Sequence, residues 1–264
     1  SPQIGAAQEL PPNTASRDDH LVELRKLQDA SDWEGILRRV PPAGGSAEQC
    51  FYRGLSLSRL QRWELARQAF EAGEKIAPTD PRFPTELAGA LFQLKQFQDA
   101  KNSLRKVLKL NVNDAYAQNF LATLYFMEEN LEAALKYWNP SHKPVVDQIA
   151  SSPQPRLKAD ILDRAFAVAP ASQLLLEDFR NTQVWLEHLR IFPSYQFELR
   201  PKPGEQFDLL FHPIEKNGWG KKSDRIFSIL RGIPSLTVGM DLFNLKGQAI
   251  NLESRVRFDA QKRR

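Results

Sequence analysis

The sequence holds one cysteine, only four histidines and no apolar run of about eighteen residues. A single cysteine, Cys50, excludes an internal disulfide, and its position suits a small packing residue. His20, His142, His188 and His212 are scattered, with no HExxH helix and no His/Cys cluster at metal-ligand spacing, so the common zinc sites are excluded. A G-x-S-x-G elbow, a Walker loop and a dinucleotide fingerprint are also missing. Gly218-Trp219-Gly220 lacks the downstream glycine and helix that a phosphate cradle requires. Acidic pairs such as Glu128-Glu129 and Asp18-Asp19 suit helix ends or polar faces, where solvation accounts for them. No catalytic residue, metal, cofactor or small-molecule substrate is expected, and the chain reads as a binding protein rather than an enzyme. Without a long apolar run there is no transmembrane helix.

What the sequence does have is room for two modest domains, with 264 residues, 42% of them apolar and 26% charged. The net charge of +4 is uneven: residues 219–264 carry ten Lys/Arg against four Asp/Glu, leaving 26 against 28 before Trp219. Basicity confined to a terminal ribbon speaks against nucleic acid as a partner, which calls for a basic face on a folded module. Residues 1–17, rich in Ala, Pro, Gln and Asn, read as a flexible terminus.

The strongest pattern is a period of 34. Small residues recur at Gly54, Ala88 and Ala122 and again at Ala66, Ala100 and Ala134; large ones recur at Phe70, Leu104 and Trp138 and at Leu57, Leu91 and Tyr125. Small residues where paired helices cross and large ones where pairs interlock are a packing requirement, and these columns resemble the tetratricopeptide motif. Residues 18–140 are therefore expected to form an α-solenoid: an irregular first pair, then repeats near 47–80, 81–114 and 115–140. The first pair is short, because Ser31-Asp32-Trp33-Glu34 matches Gln61-Arg62-Trp63-Glu64 at an offset of 30. The resemblance implies a concave face lined by positions 2, 5, 9 and 12 of each repeat. Its candidate partner-binding residues are Phe51, Leu55, Arg82, Thr85, Phe92, Tyr116, Asn119 and Phe126. Phe92 and Phe126 share one position a repeat apart, which is expected to set two rings side by side, facing either a partner or another part of the same chain.

From Lys143 the order reads strand, helix, helix, strand, strand, over 145–151, 157–168, 172–189, 195–199 and 207–214, with Gly204 in the last turn. Residues 143–217 resemble a POTRA domain, the polypeptide-transport module of outer-membrane assembly proteins of the BamA and TamA type. The likeness rests on Leu186-Glu187-His188-Leu189-Arg190-Ile191-Phe192, against that family's L..LGIF, and on 211–216, against its F.V.EK strand end. Arg190 stands where the family has glycine, so a positive φ there would strain it by roughly 1 kcal/mol. The physical use of such a module is a sheet edge to which an extended client adds a strand; by analogy the edge is placed at Tyr195, Phe197 and Leu199. The alternative is an edge covered by the neighbouring repeats.

The ending alternates. Ile250, Leu252, Ser254, Val256 and Phe258 fall on one face, and Asn251, Glu253, Arg255 and Arg257 on the other, which suits lipid outside and water inside. Residues 249–259 match the roughly 9 to 11 residues of a spanning strand. Asn244-Leu245-Lys246-Gly247 resembles the first tight turn of BamA-like barrels. Residues 218–264 are accordingly expected to begin an outer-membrane-type β-barrel, with Ile250, Leu252, Val256 and Phe258 toward lipid. Too few strands are present to close one, so a longer protein is expected.

These expectations combine into an α+β chain, a repeat solenoid followed by a βααββ module and a C-terminal hairpin. The implied function is outer-membrane biogenesis or protein translocation. Partners would be polypeptide clients or other envelope proteins, and membrane lipid through the barrel strands. The chain would sit in the bacterial outer membrane, with repeats and module in the periplasm. Alternatives are a soluble repeat scaffold, with the tail finishing an α+β domain, and a polysaccharide exporter in which repeats precede a barrel.

Overall fold

The structure is a computed structural model that describes residues 14–42, 44–204, 206–218 and 237–257. The chain divides into two compact units, Ser1–Leu121 and Ala122–Arg264.

The first unit is helical: α1 (Thr14–Asp29), α2 (Trp33–Arg39), α3 (Ala47–Arg59), α4 (Trp63–Ile76), α5 (Arg82–Gln93), α6 (Phe97–Leu110) and the start of α7 (Ala115–Met127). The small columns are buried, and aromatic rings press on Gly54 and, outside the columns, on Gly73. A Cβ on Gly54 would lie 2.4 Å from the Phe70 ring, and one on Gly73 would lie 2.0 Å from the Phe83 ring. The short first pair builds its own core from Leu24, Ile36 and Val40 against Tyr52 of α3.

Every turn inside a helix pair closes the same way. Ser31, Gln61, Lys95 and Glu129 all adopt a left-handed φ, between +56° and +60°. At each, the amide bonds back to the carbonyl three residues earlier and the next amide to the one five residues before it. Lys95 N donates to Phe92 O and Gln96 N to Leu91 O, both at 2.9 Å. This is the Schellman closure of a helix, made here without glycine. Between the first three turns the offsets are 30, the spacing of Trp33 and Trp63, and then 34, the repeat period.

The second unit takes the end of α7, then α8 (Leu131–Trp138), β1 (Val145–Ser151), α9 (Ala159–Ala165), β2 (Ser172–Gln173), α10 (Leu176–Leu189), β3 (Ser194–Pro201), β4 (Gln206–Ile214), β5 (Thr237–Leu242) and β6 (Leu252–Arg257). The compact division thus falls within α7. The reason is a shared core: Ala122, Leu131, Leu135 and Trp138 pack with Val146, Phe179, Leu199 and Leu209 of the module. Asn139 fastens the junction, its amide donating to Lys143 O and Leu174 O while its oxygen accepts from Leu176 N.

The sheet runs β2-β1-β4-β3, with β1 parallel to β4 and β3 antiparallel to β4. A second core joins Leu157, Leu162 and Leu186 to Ile191, Phe192 and Phe211, so α9 and α10 cover one sheet face. The helix expected from 172 begins only at Leu176, because Ser172 and Gln173 pair with β1 instead. α10 stops at Arg190, which is left-handed at φ +56°.

β5 and β6 form an antiparallel ladder ending at Leu242↔Leu252. The connection is therefore a nine-residue loop, 243–251, rather than a four-residue turn. β6 starts later than the alternation suggested: Ala249 is left-handed and Leu245 N donates to Ile250 O, which closes the loop on itself. Ile250 accordingly lies in the loop and not on a strand, a correction to its expected lipid-facing place. Leu252 opens β6 and is 48% exposed. Val256 belongs to β6, and Phe258 lies outside the described residues.

The loop is seated on the module by polar groups. Glu215 accepts from the amides of Arg156 (2.7 Å) and Leu157 (2.9 Å) and from the side chains of Asn217 and Asn244. Asn251 accepts from Asn244 N and donates to Leu189 O. Gly247, at φ +71°, comes so near Arg156 that a Cβ would sit 2.5 Å from its carbonyl oxygen. Among the described residues no helix is long and apolar enough to cross a membrane.

Candidate partner-binding site

Within the first unit, the expected concave residues have unequal roles. Arg82 lies with its guanidinium 4.6 Å from the Phe51 ring centroid and is held by Asp80 (2.7 Å) and Glu48 (2.5 Å). Two carboxylates already meet its charge, and they hold its pKa above the ordinary arginine value, Asp80 first. Phe51 packs edge-on to Phe83 at 5.8 Å. Leu55 is only 8% exposed, so it belongs to the core instead of an open groove, as burial of an aliphatic side chain favours. Thr85 turns its hydroxyl back to Pro81 O at 2.7 Å. Asn119 is half-buried. Phe92 packs on Phe97 and Phe120, and Phe120 on Tyr116.

Phe120 and Glu86 escaped the sequence reading. Tyr52, Glu86 and Phe120 form one column of period 34, and the charged member breaks an otherwise aromatic series. Burial pushes the Glu86 carboxyl above its ordinary value, partly offset by Arg59. The Tyr116 phenol is raised as well, by partial burial and then by Glu86.

In the second unit, Phe126 rests against Trp138 (5.4 Å) and Phe207 (6.1 Å), a contact inside its own unit. It also lines a groove of about 870 Å³ together with Tyr195, Phe197 and Leu199. A residue expected on the helical groove and three expected on a sheet edge thus share one cavity. β3 is the outermost strand of the sheet. Which of its main-chain groups face outward follows from antiparallel alternation. Lys202 N donates to Gln206 O, so that pair is hydrogen-bonded, and every second pair back along the hairpin is too: Arg200↔Asp208, Glu198↔Leu210, Gln196↔His212. The Phe211 carbonyl, opposite Phe197, goes to Ser152 N on the β1 side, in the same phase. The N–H and C=O of Tyr195, Phe197 and Leu199 therefore point away from β4, and among the described residues no backbone partner meets them.

The side chains of these residues turn to the helices. Phe197 is edge-on to Phe179 at 5.2 Å and to Phe166 at 5.9 Å. On the other face Glu198 accepts from His212 Nε2 at 3.0 Å, and that bond, with help from Arg200, holds its carboxyl below the ordinary range. The groove is also lined by Glu128 and Glu129 of the α7–α8 turn and by Glu132 of α8. The groove has an aromatic floor, a free strand edge and an acidic rim. Among the described residues no group of His, Cys, Asp and Glu could hold a metal ion.

Comparison with known proteins bears on the helical part. Residues 59–124 match the family profile of the tetratricopeptide repeat. Over residues 59–124 the helices are similar to tetratricopeptide repeats. The search among curated proteins returns no match. Among solved structures, the TPR2B domain of yeast Sti1 in its pHsp70 complex is 25% identical, over 36% of this chain and 77% of that one, with a TM-score of 0.35. MamA is 16% identical over 45% and 71%, with a TM-score of 0.42. The type III secretion translocator chaperone SycD of Yersinia enterocolitica is 16% identical over 38% and 83%, with a TM-score of 0.35.

Proposed function

We propose that this chain is the polypeptide-binding part of an outer-membrane biogenesis or protein-translocation component. In this reading tetratricopeptide repeats lead into a POTRA-like module in the periplasm, followed by the start of a barrel. The carrying observation is the outward row of main-chain groups on β3 beside an aromatic floor, the arrangement to which an extended chain adds as a strand. Further support comes from the βααββ order with β1 parallel to the central β4. The left-handed backbone at Arg190, where the resembled family has glycine, also agrees, as does the burial of Leu186, Ile191 and Phe192 around it. The alternating tail, with Leu252 exposed at the start of β6, favours a lipid contact. The other reading, a soluble repeat scaffold, draws on the tetratricopeptide match alone.

Fractionation of cells expressing the full-length protein separates the two. Recovery in the outer membrane, released only by detergent, is expected; recovery in the cytosol would remove the envelope assignment. Photo-crosslinkers at Phe126 and Phe197 are expected to trap polypeptide in the membrane fraction, whereas one at the loop residue Val112 is not.

A further inference from the structure

The groove beside β3 has a chemical bias that a bare sheet edge lacks. Glu129 of the α7–α8 turn and Glu132 at the start of α8 line it, Glu198 stands on β3 itself, and neither Lys nor Arg is among its lining residues. Glu132 is paired with Arg180, and Glu198 with His212 and Arg200. Glu129 occupies the left-handed turn position and has no side-chain partner among the described residues. Phe126, Phe179 and Phe197 supply the apolar surface between these charges. From Tyr195 to Leu199 the edge offers about 14 Å of strand at about 3.4 Å per residue.

We infer that this groove takes an extended segment of a partner polypeptide in which apolar residues alternate with Lys or Arg. A strand lying about 4.8 Å from β3 would exchange main-chain bonds with Tyr195, Phe197 and Leu199. Its side chains alternate between the sheet faces, so one set meets the aromatic floor while the other stays at the rim, where carboxylates select cations. The helical repeat therefore does more than precede the module: its last turn sets the charge preference of the module's edge. The inference rests on the proposed function, which assigns polypeptide binding to this edge without specifying its sequence.

The test uses the whole chain and fluorescent nine-residue peptides alternating Val or Phe with Lys, with Ser or with Glu, plus the Lys peptide N-methylated at alternate residues. Binding is read by anisotropy, and the site by hydrogen exchange at 195, 197 and 199. The Lys peptide is expected to bind about ten-fold more tightly than the Glu peptide, to weaken with salt, to protect those amides and to lose binding on N-methylation in the register that removes its donors. Glu129→Gln should weaken the Lys peptide about three-fold and leave the Ser peptide unchanged. Equal binding of all three charge types, with the edge protected, overturns the charge preference while the proposed function stands. Failure of every peptide to protect the edge overturns both. Concentration-dependent protection in the chain alone, with a dimer in sedimentation, overturns the inference in favour of a second copy as occupant.

Discussion

Lys95 holds a backbone conformation that costs an L-residue with a Cβ roughly 1 kcal/mol, and so do Gln61 and Arg190. Lys95→Gly and Arg190→Gly are each expected to raise stability by about 0.5 to 1 kcal/mol, read from the urea midpoint at unchanged slope. Glu86 gives a pH signature of opposite character. Its folded carboxyl titrates above its unfolded value, so between the two the folded state binds the extra proton and stability falls as pH rises. Below both values the penalty is absent; above the folded value it is complete. Glu86→Gln should therefore match the parent near pH 3.5 and exceed it in urea stability at pH 7, the gap opening from about pH 4.3 upward. A gap that stays constant with pH would show that Glu86 titrates as an exposed residue.

At the scale of elements, two glycines separate packing from propensity. Gly73→Ala drives a methyl into the Phe83 ring and should cost about 1 to 3 kcal/mol, whereas Gly89 has open space around its Cβ position and Gly89→Ala should gain up to about 1 kcal/mol. Thermal unfolding of both variants checks the pair. The helices were legible because their columns encode interlocking volumes, and β1, β3 and β4 because turn residues bound short apolar runs. Two kinds of element were not legible. Ser172 and Gln173 carry no strand pattern of their own and pair only because β1 offers them an edge. Ile250 satisfies the alternation perfectly yet lies in a loop, because left-handed Ala249 and the Leu245–Ile250 bond act through the backbone, which period-two reading cannot see. The groove was half legible. Phe126 and the β3 residues were each named, but their union depends on α8 sharing the module's core. Asn244→Ala should remove the bonds to Glu215, Asn217 and Ala249 N and raise hydrogen exchange across 243–251 at least about ten-fold, with β3–β4 unchanged.

For the whole molecule, charge is sorted along the chain, the basic excess lying after Trp219, where Leu252 is one of the exposed apolar residues. Flotation with vesicles should reflect this. Anionic vesicles are expected to retain more protein than neutral ones, with the excess lost near 0.5 M salt as screening shortens to about 4 to 5 Å. Leu252→Asp should reduce the fraction that survives salt. The contact at Gly247 has a mechanical consequence. A hairpin whose loop is seated that tightly on the Arg156 carbonyl, with Glu215 gripping the amides on both sides of the joint, cannot swivel freely. Any tug on β5 and β6 is delivered straight into the segment leading to α9, so the linkage works as a rigid crank and not as a tether.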